Sequence, residues 1–285
     1  MPRSRYPTKA STMPATPSQI ETTTPVSDPE SDPSPIVNPA PLTLLIQGCE
    51  ALGIPITPEQ VAQFERYYVE LVTWNKKFNL TAITEHGDVQ NKHFLDSLLG
   101  LLVLAEEMDE PLPMRRPLHA IDVGTGAGFP GVALKIMWPA LRLTLLDGTG
   151  KKILFLNELV KTLGLTQVNV VQGRAEEAGR DESFRGQFDL VTARAVAPLN
   201  TLAEYLLPFA RRDGYVLAYK GPGVPEEFMA ARKAIDLLGG ETVRLAPMRL
   251  PNVDEERFLM LIKKVQRTPP IYPRGQGLPR KKPLG

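Results

Sequence analysis

Residues 120–131 read AIDVGTGAGFPG, and two glycine fingerprints fit this one stretch. Gly126, Gly128 and Gly131 satisfy G-x-G-x-x-G, a pattern of dinucleotide binding. Asp122, Gly124, Gly126 and Gly128 satisfy D-x-G-x-G-x-G, a pattern of S-adenosylmethionine (SAM) binding. Both readings make LHAIDV a strand, followed by a turn where glycines let the backbone pass close beneath a ligand that a Cβ would strike. Helix-start N–H groups at Phe129 to Val132 are expected to face a negative or polar group. Pro130 suits such a start, because its missing N–H would lack a partner there. Asp147 ends the next apolar run, 23 residues after Gly124, and is placed to accept both hydroxyls of a ribose.

Outward from that turn, short apolar runs alternate with helical segments: FPGVALKIMW, LRLTLLD, KKILFLNELVKTLG, VNVVQG, AEEAG, FDLVTARA, LNTLAEYLLPFA, GYVLAYKG and EEFMAARKAIDLLGG. Late strands follow near ETVRLAP and RFLMLIKKV. This alternation implies a doubly wound parallel sheet covered on both faces, its closing pair forming an antiparallel edge. The expected fold class is α/β; on the SAM reading, it is a Rossmann-like SAM-dependent methyltransferase fold with a seven-stranded, mostly parallel sheet, an antiparallel last strand and a small N-terminal helical part. In that part, TPEQ offers Thr57 as an N-cap and Pro58 at the first helical position. Val61, Phe64, Tyr68, Leu71, Val72 and Trp74 then recur at mostly three- and four-residue steps. A second helix is expected through GDVQNKHFLDSLLGLLVL. Residues 1–41 are crowded with Pro, Ser and Thr and lack apolar periodicity, so they are expected to be disordered. The chain thus divides into an extension (1–41), a helical region (42–112), a SAM-binding domain (113–266) and a basic tail (267–285).

Hydrophobic content of 42% and charged content of 23% describe an ordinary globular protein. No apolar run approaches the roughly 18 residues of a membrane span, and no signal peptide opens the chain. The single Cys49 allows neither an internal disulfide nor a cysteine metal cluster, and His86, His93 and His119 lack metal-ligand spacing. A cytoplasmic protein without metal is expected. Net charge is only +1, but residues 263–285 hold Lys263, Lys264, Arg267, Arg274, Arg280, Lys281 and Lys282 and no acid, hence +7. The remainder sums to −6 (1 minus 7). A basic arm on a mildly acidic body points to a polyanionic partner, the alternative being a solubilising tail.

The later strands separate the two fingerprints. A SAM enzyme holds adenine at the turn after its third strand, here QGRAEEAG with Ala175 and Glu176, and works its chemistry after the fourth, here FDLVTARAVAPL. Nothing downstream resembles a hydride-transfer domain, so methyl transfer is preferred over an NAD-dependent oxidoreductase. A SAM-binding regulator that methylates nothing stays open. ARAVAPL lacks the Asn/Asp-Pro-Pro-aromatic motif of amine methylation, and Cys49 lies far from the motif, which disfavours the thiolate route to carbon-5. No lysine base with an orienting carboxylate is evident for ribose methylation. A ring nitrogen such as guanine N7 needs none of these, only in-line positioning. Arg194 is placed to touch cofactor or guanine, unless it serves in an ion pair with Asp189 or Glu176.

The stretches WNKKFNLTAI (74–83), KHFLDSL (92–98), AIDVGTGAGFPG (120–131), QGRAEE (172–177), FDLVTARAVAPL (188–199) and YPRGQGLPRKKPL (272–284) resemble the ribosomal RNA small subunit methyltransferase G family, also called GidB. The likeness runs from about residue 42 to the C-terminus. It implies a bacterial cytoplasmic enzyme that uses SAM to make 7-methylguanosine in the 530 loop of 16S ribosomal RNA, free or in the small subunit. Its implied cofactor contacts fall on Gly124, Phe129, Asp147, Gly148, Thr149, Ala175, Glu176 and Arg194. His93, Asp96 and Ser97, on one helix face, read either as a buried polar cluster or as a wall of the substrate cleft. Lys220 is a candidate RNA contact or a simple exposed lysine. Arg274, Arg280 and Lys281 are expected to touch RNA phosphate, so that loss of residues 272–285 would weaken RNA association and leave SAM affinity unchanged.

Overall fold

A seven-stranded sheet runs through the centre of the computed structural model, which describes residues 40–251 and 253–285. The strands are β1 (His119–Val123), β2 (Arg142–Asp147), β3 (Val168–Gln172), β4 (Phe188–Arg194), β5 (Ala210–Lys220), β6 (Gly240–Met248) and β7 (Arg257–Lys264). Their order is β3-β2-β1-β4-β5-β7-β6. β1 to β5 pair in parallel, while β7 inserts between β5 and β6 and is antiparallel to both. The expected α/β sheet is present, and the closing antiparallel pair is a hairpin whose first strand forms the edge. The extension expected over 1–41 lies outside the described residues but for its last two.

Alternation along the strands sends side chains to two cores. Leu143, Leu145, Leu190 and Leu217 pack on one face, and Ile121, Val191, Val216 and Met260 on the other. The first face is covered by α5 (Gly131–Met137) and α6 (Gly150–Thr162), together with the N-terminal helices. The second is covered by α8 (Leu199–Leu206) and α9 (Val224–Leu237). A short α7 (Ala175–Ala178) follows β3, and α10 (Leu278–Lys281) ends the chain.

The helical region comprises α1 (Thr43–Ala51), α2 (Pro58–Phe78), α3 (His86–Asp88), a π-helical stretch (Val89–Leu95) and α4 (Asp96–Glu107). Thr57 caps α2 as its sequence indicates: Thr57 Oγ1 accepts the Gln60 N–H, and Gln60 Oε1 accepts the Thr57 N–H. Phe64, Tyr67 and Leu71 form its buried stripe, so Tyr67 supplants the expected Tyr68. Phe64, Leu71, Phe94 and Leu98 share the core of Leu145 and Phe155, and the described residues belong to one compact unit. The boundary near residue 112 therefore marks a change of secondary structure and not of packing.

The second helix departs from a regular 3.6-residue period. The Asp96 N–H donates to Asn91 O, five residues back, and the wider turn spans Val89–Leu95. His93, Asp96 and Ser97 are all buried there, and Ser97 Oγ donates to His93 O at 2.6 Å. The start of α5 also differs from expectation. The N–H groups of Phe129, Gly131 and Val132 are taken by Thr125 O, Asp122 Oδ2 and Gly128 O, so they are not free for a ligand.

Gly100 on α4 lets the helix lie against β5. A Cβ there would sit 2.0 Å from Tyr219 Oη, which donates to Ser97 O at 2.7 Å. Gly100→Ala is expected to lower the unfolding free energy by about 1–3 kcal/mol through overpacking. Urea denaturation measures this, and a variant as stable as the parent would show that α4 and β5 yield freely.

Candidate active site: two cavities at the carboxyl ends of the strands

The ends of β1, β2 and β4 frame a cavity of about 380 Å³, and the ends of β4 and β5 border a larger one of about 710 Å³. They meet at Ala195, which lines both. Ala195 has φ +57°, a left-handed conformation disfavoured for a residue with a Cβ. The chain thus turns sharply at the junction, one residue beyond β4.

In the smaller cavity, Gly124 adopts φ +69°, and a Cβ on it would lie 2.9 Å from Val196 Cγ2. Gly126 adopts φ +62°. Asp147 is buried at the end of β2, where Oδ2 accepts the Gly126 N–H at 3.0 Å and Oδ1 accepts the Thr149 N–H at 2.9 Å. Lys152 Nζ stands 3.5 Å from Oδ2. Each carboxylate oxygen carries two lone pairs, so these bonds leave Oδ1 with capacity for a ribose hydroxyl, and Oδ2 as well if Lys152 swings away. Gly148, Thr149, Ala175 and Glu176 complete this side. Six of the expected cofactor residues are therefore brought together. A gap floored by glycine backbone, with a buried carboxylate at one wall and Ala175–Glu176 at the next, fits an adenosine-bearing ligand.

Phe129 and Arg194 face the larger cavity instead. The Phe129 ring stacks between Tyr67 (centroids 5.0 Å, 11°) and His93 (4.5 Å, 20°), and the Arg194 guanidinium lies 5.0 Å from its centroid. Arg194 Nη1 donates to Asp96 Oδ2 at 2.7 Å, and Arg257 Nε donates to Asp96 Oδ1 at 3.1 Å. The ion pair weighed for Arg194 thus exists, but with Asp96. Asp189 pairs with Arg211 at 2.5 Å, and Glu176 accepts the Gly277 N–H. Lys220 is not a simple exposed lysine: its Nζ lies 2.5 Å from Glu227 Oε2 and donates to Ala197 O at 3.1 Å.

His93 is buried and also lines the larger cavity. Burial and the Arg194 charge hold its pKa down to about 3. A neutral imidazole accepts from Arg194 Nη2 at Nδ1 (3.3 Å), which leaves Nε2–H to donate to Thr81 Oγ1 (2.9 Å).

The basic tail requires correction. Arg274 is locked onto buried Glu204, with Nη2 to Oε2 at 2.6 Å, and Arg280 donates to Val196 O at 2.8 Å beside the smaller cavity. Of the three tail residues expected on RNA, only Lys281 is an exposed side chain for which no such partner is seen. Tyr205, Gln276 and Arg174 also line the smaller cavity, as Thr81, Glu227 and Arg257 line the larger. Thr81, Arg174 and Gln276 lie within the stretches that carry the family resemblance, whereas nothing local marks Tyr205, Glu227 or Arg257, which tertiary packing delivers. Among the described residues, no group of His, Cys, Asp and Glu is arranged to hold a metal, and no helix is long and apolar enough to cross a membrane.

Because His93 protonates near 6.5 when unfolded and near 3 when folded, the unfolded chain binds the extra proton between those values. The stability contributed by the neutral ring is present above about 6.5 and is lost as pH falls toward 3. The stability difference between the parent and His93→Gln, from urea unfolding at stepped pH, should shrink across this window. A constant difference would refute the assignment of a neutral ring.

A family model described as rRNA small subunit methyltransferase G (GidB) matches residues 60–253. The chain is 47% identical over 241 residues to the ribosomal RNA small subunit methyltransferase G of Alkaliphilus metalliredigens, covering 85% of this chain and 98% of the relative. It is 43% identical over 240 residues to the same-named protein of Desulforamulus reducens, covering 84% and 97%. It is 47% identical over 232 residues to that of Moorella thermoacetica, covering 81% and 93%. A glycine turn, its carboxylate and the Phe129–Arg194 wall thus sit within a match that spans most of both chains, and the protein belongs to the rRNA small subunit methyltransferase G (GidB) family.

Proposed function

We propose that the protein methylates N7 of a guanosine in the 530 loop of 16S ribosomal RNA. As a family member it is a SAM-dependent rRNA methyltransferase; the atom and the loop are the family's expected target. The observation that carries the reading is the junction of the two cavities at Ala195, one suited to adenosine and the other walled by a flat aromatic and guanidinium surface.

When bound, SAM supplies a methyl group activated by its sulfonium. Asp147 would hold the ribose, with Gly148, Thr149, Ala175 and Glu176 around the adenosine. Gly124 would leave room for the remainder beside Ala195, with Gly126, Phe129 and Arg194 on the side of the larger cavity. A guanine base in the larger cavity would meet the Phe129–His93–Arg194 wall, with Arg194 or Lys220 as a donor to its O6. Lys220 is committed to Glu227 and Ala197 O, which suits it to donate rather than to remove a proton. Guanine N7 carries a lone pair and no hydrogen, so positioning is the main requirement, and fixing two reactants in line is worth roughly 7–11 kcal/mol. Cys49 is buried in α1, which disfavours carbon methylation by a thiolate. The proposed site of action is the bacterial cytoplasm, on 16S rRNA or the small subunit.

The test combines binding and product mapping. The parent should bind SAM in calorimetry, show no NAD binding, and place 7-methylguanosine in the 530 loop of small subunits that lack it. Asp147→Ala should weaken SAM by about tenfold or more, as loss of charge-assisted hydrogen bonds predicts. Arg194→Ala should abolish the mark while the fold persists. SAM binding without methylation of the loop would favour a regulatory protein, and NAD binding would restore the oxidoreductase reading.

A further inference from the structure

The segment after β7 does not leave the body of the protein. Arg185, in the loop before β4, donates to the carbonyls of Thr268, Pro269 and Tyr272 at 2.9, 3.2 and 2.7 Å. Arg274 then meets Glu204 on α8, whose side chain has no exposed surface. Its Nη2 reaches Oε2 at 2.6 Å, its Nε reaches Oε1 at 2.9 Å, and its own backbone N–H reaches Oε1 at 2.7 Å. Three bonds to one desolvated carboxylate make this a fixed point, since removing the arginine would strand a buried charge.

Beyond that anchor the chain crosses the smaller cavity. The Gly277 N–H donates to Glu176 Oε1 at 3.0 Å, Pro279 O accepts from Thr201 Oγ1 at 3.2 Å, and Arg280 Nη2 donates to Val196 O at 2.8 Å. Gln276, Gly277 and Arg280 thereby become lining residues. The endpoints matter more than the number of bonds. Glu176 and Val196 are themselves walls of the cavity, one following β3 and the other following β4, and the segment joins them from outside. Gly277 turns with φ +74° and has open space where a Cβ would stand, so backbone conformation and not crowding calls for glycine there.

We propose that Tyr272–Lys281 is a strap closing the cofactor cavity, with Arg280 facing the cofactor and the Arg274–Glu204 pair as its positioning anchor. This rests on the reading of the smaller cavity as the SAM site. Ligand and strap then support each other reciprocally: a seated strap raises affinity, and a bound ligand holds the strap down by the same factor. On this proposal loss of the tail weakens SAM binding as well, whereas the sequence-based expectation left SAM affinity unchanged.

The experiment titrates S-adenosylhomocysteine, the demethylated product, into the parent, Arg280→Ala, Arg274→Ala and Arg274→Lys by calorimetry. It then follows trypsin cleavage after Arg274 with and without that ligand. Arg280→Ala should bind about tenfold more weakly, as loss of hydrogen bonds from a charged donor predicts, with the melting temperature of the ligand-free protein unchanged. Arg274→Ala should lose at least as much, and Arg274→Lys should recover part of it. Ligand should slow cleavage of the parent severalfold and of Arg280→Ala much less. If Arg280→Ala binds as the parent does and ligand leaves cleavage unaltered, the segment merely packs and the strap is overturned. A parent that binds no S-adenosylhomocysteine overturns the SAM reading itself. Should Arg274→Ala fail to fold, Arg280→Ala decides the matter.

Discussion

The Asp147 carboxylate holds two backbone turns at once. One oxygen fixes the Gly126 N–H in the turn after β1, and the other fixes the Thr149 N–H in the turn after β2. Hydrogen bonds to an ionised acceptor are about twice as strong as neutral ones, and here the acceptor is almost wholly buried. Both turns are therefore held at the end of β2, and Gly124, Gly148 and Thr149 from them line the smaller cavity. Gly124 and Gly126 sit at positive φ, in a turn where the Gly124 and Thr125 N–H groups donate to Leu146 O and the Gly126 N–H donates to the carboxylate.

Asp96 performs the matching task for the larger cavity from the other side of the protein. It comes from the helical region, yet it accepts from Arg194 at the end of β4 and from Arg257 at the start of β7. The π-helical stretch immediately before it sets this geometry. A regular helix would present His93 at a different angle from the Asp96 carboxylate, and the widened turn lets the imidazole stack on Phe129 while Asp96 reaches both arginines. Two buried carboxylates, one on the sheet and one on the helices, thus order the two halves of the site. Of the two, only Asp96 ties the helical region to the sheet, across a core that apolar packing already joins.

What the sequence discloses and what it withholds divide along the range of the interaction. The capping box of Thr57, the strand–helix alternation and the spacing of Asp147 from the glycine turn are settled within a few residues or one βα unit, so they are legible. The partner of Arg194 is 98 residues away on a helix whose period changes just before it, and nothing local distinguishes Asp96 from Asp189 or Glu176. Arg274 and Glu204 lie 70 residues apart. The helix start at Phe129–Val132 misleads for a different reason. Its donors find partners inside the glycine turn itself, because that turn is tight enough to bring the Thr125 and Gly128 carbonyls and Asp122 within reach.

Charge counting fails in the tail on the same grounds. Lys264 is buried and donates to Leu238 O and Thr268 Oγ1, and burial lowers its pKa to about 7. Arg274 is spent on Glu204, while Arg267, Lys281 and Lys282 remain exposed, as does Arg280, which keeps one bond to Val196 O. A run that reads as +7 therefore has two functional faces: an inward one that neutralises and anchors, and an outward one with fewer cations for a polyanion. Both faces belong to one short segment, so a phosphate backbone pulling on the outer face would load the same backbone that spans the smaller cavity. On the strap proposal, charge that the sequence offers to a polyanion or to solvent would also act, through the Arg274–Glu204 anchor, on the smaller cavity.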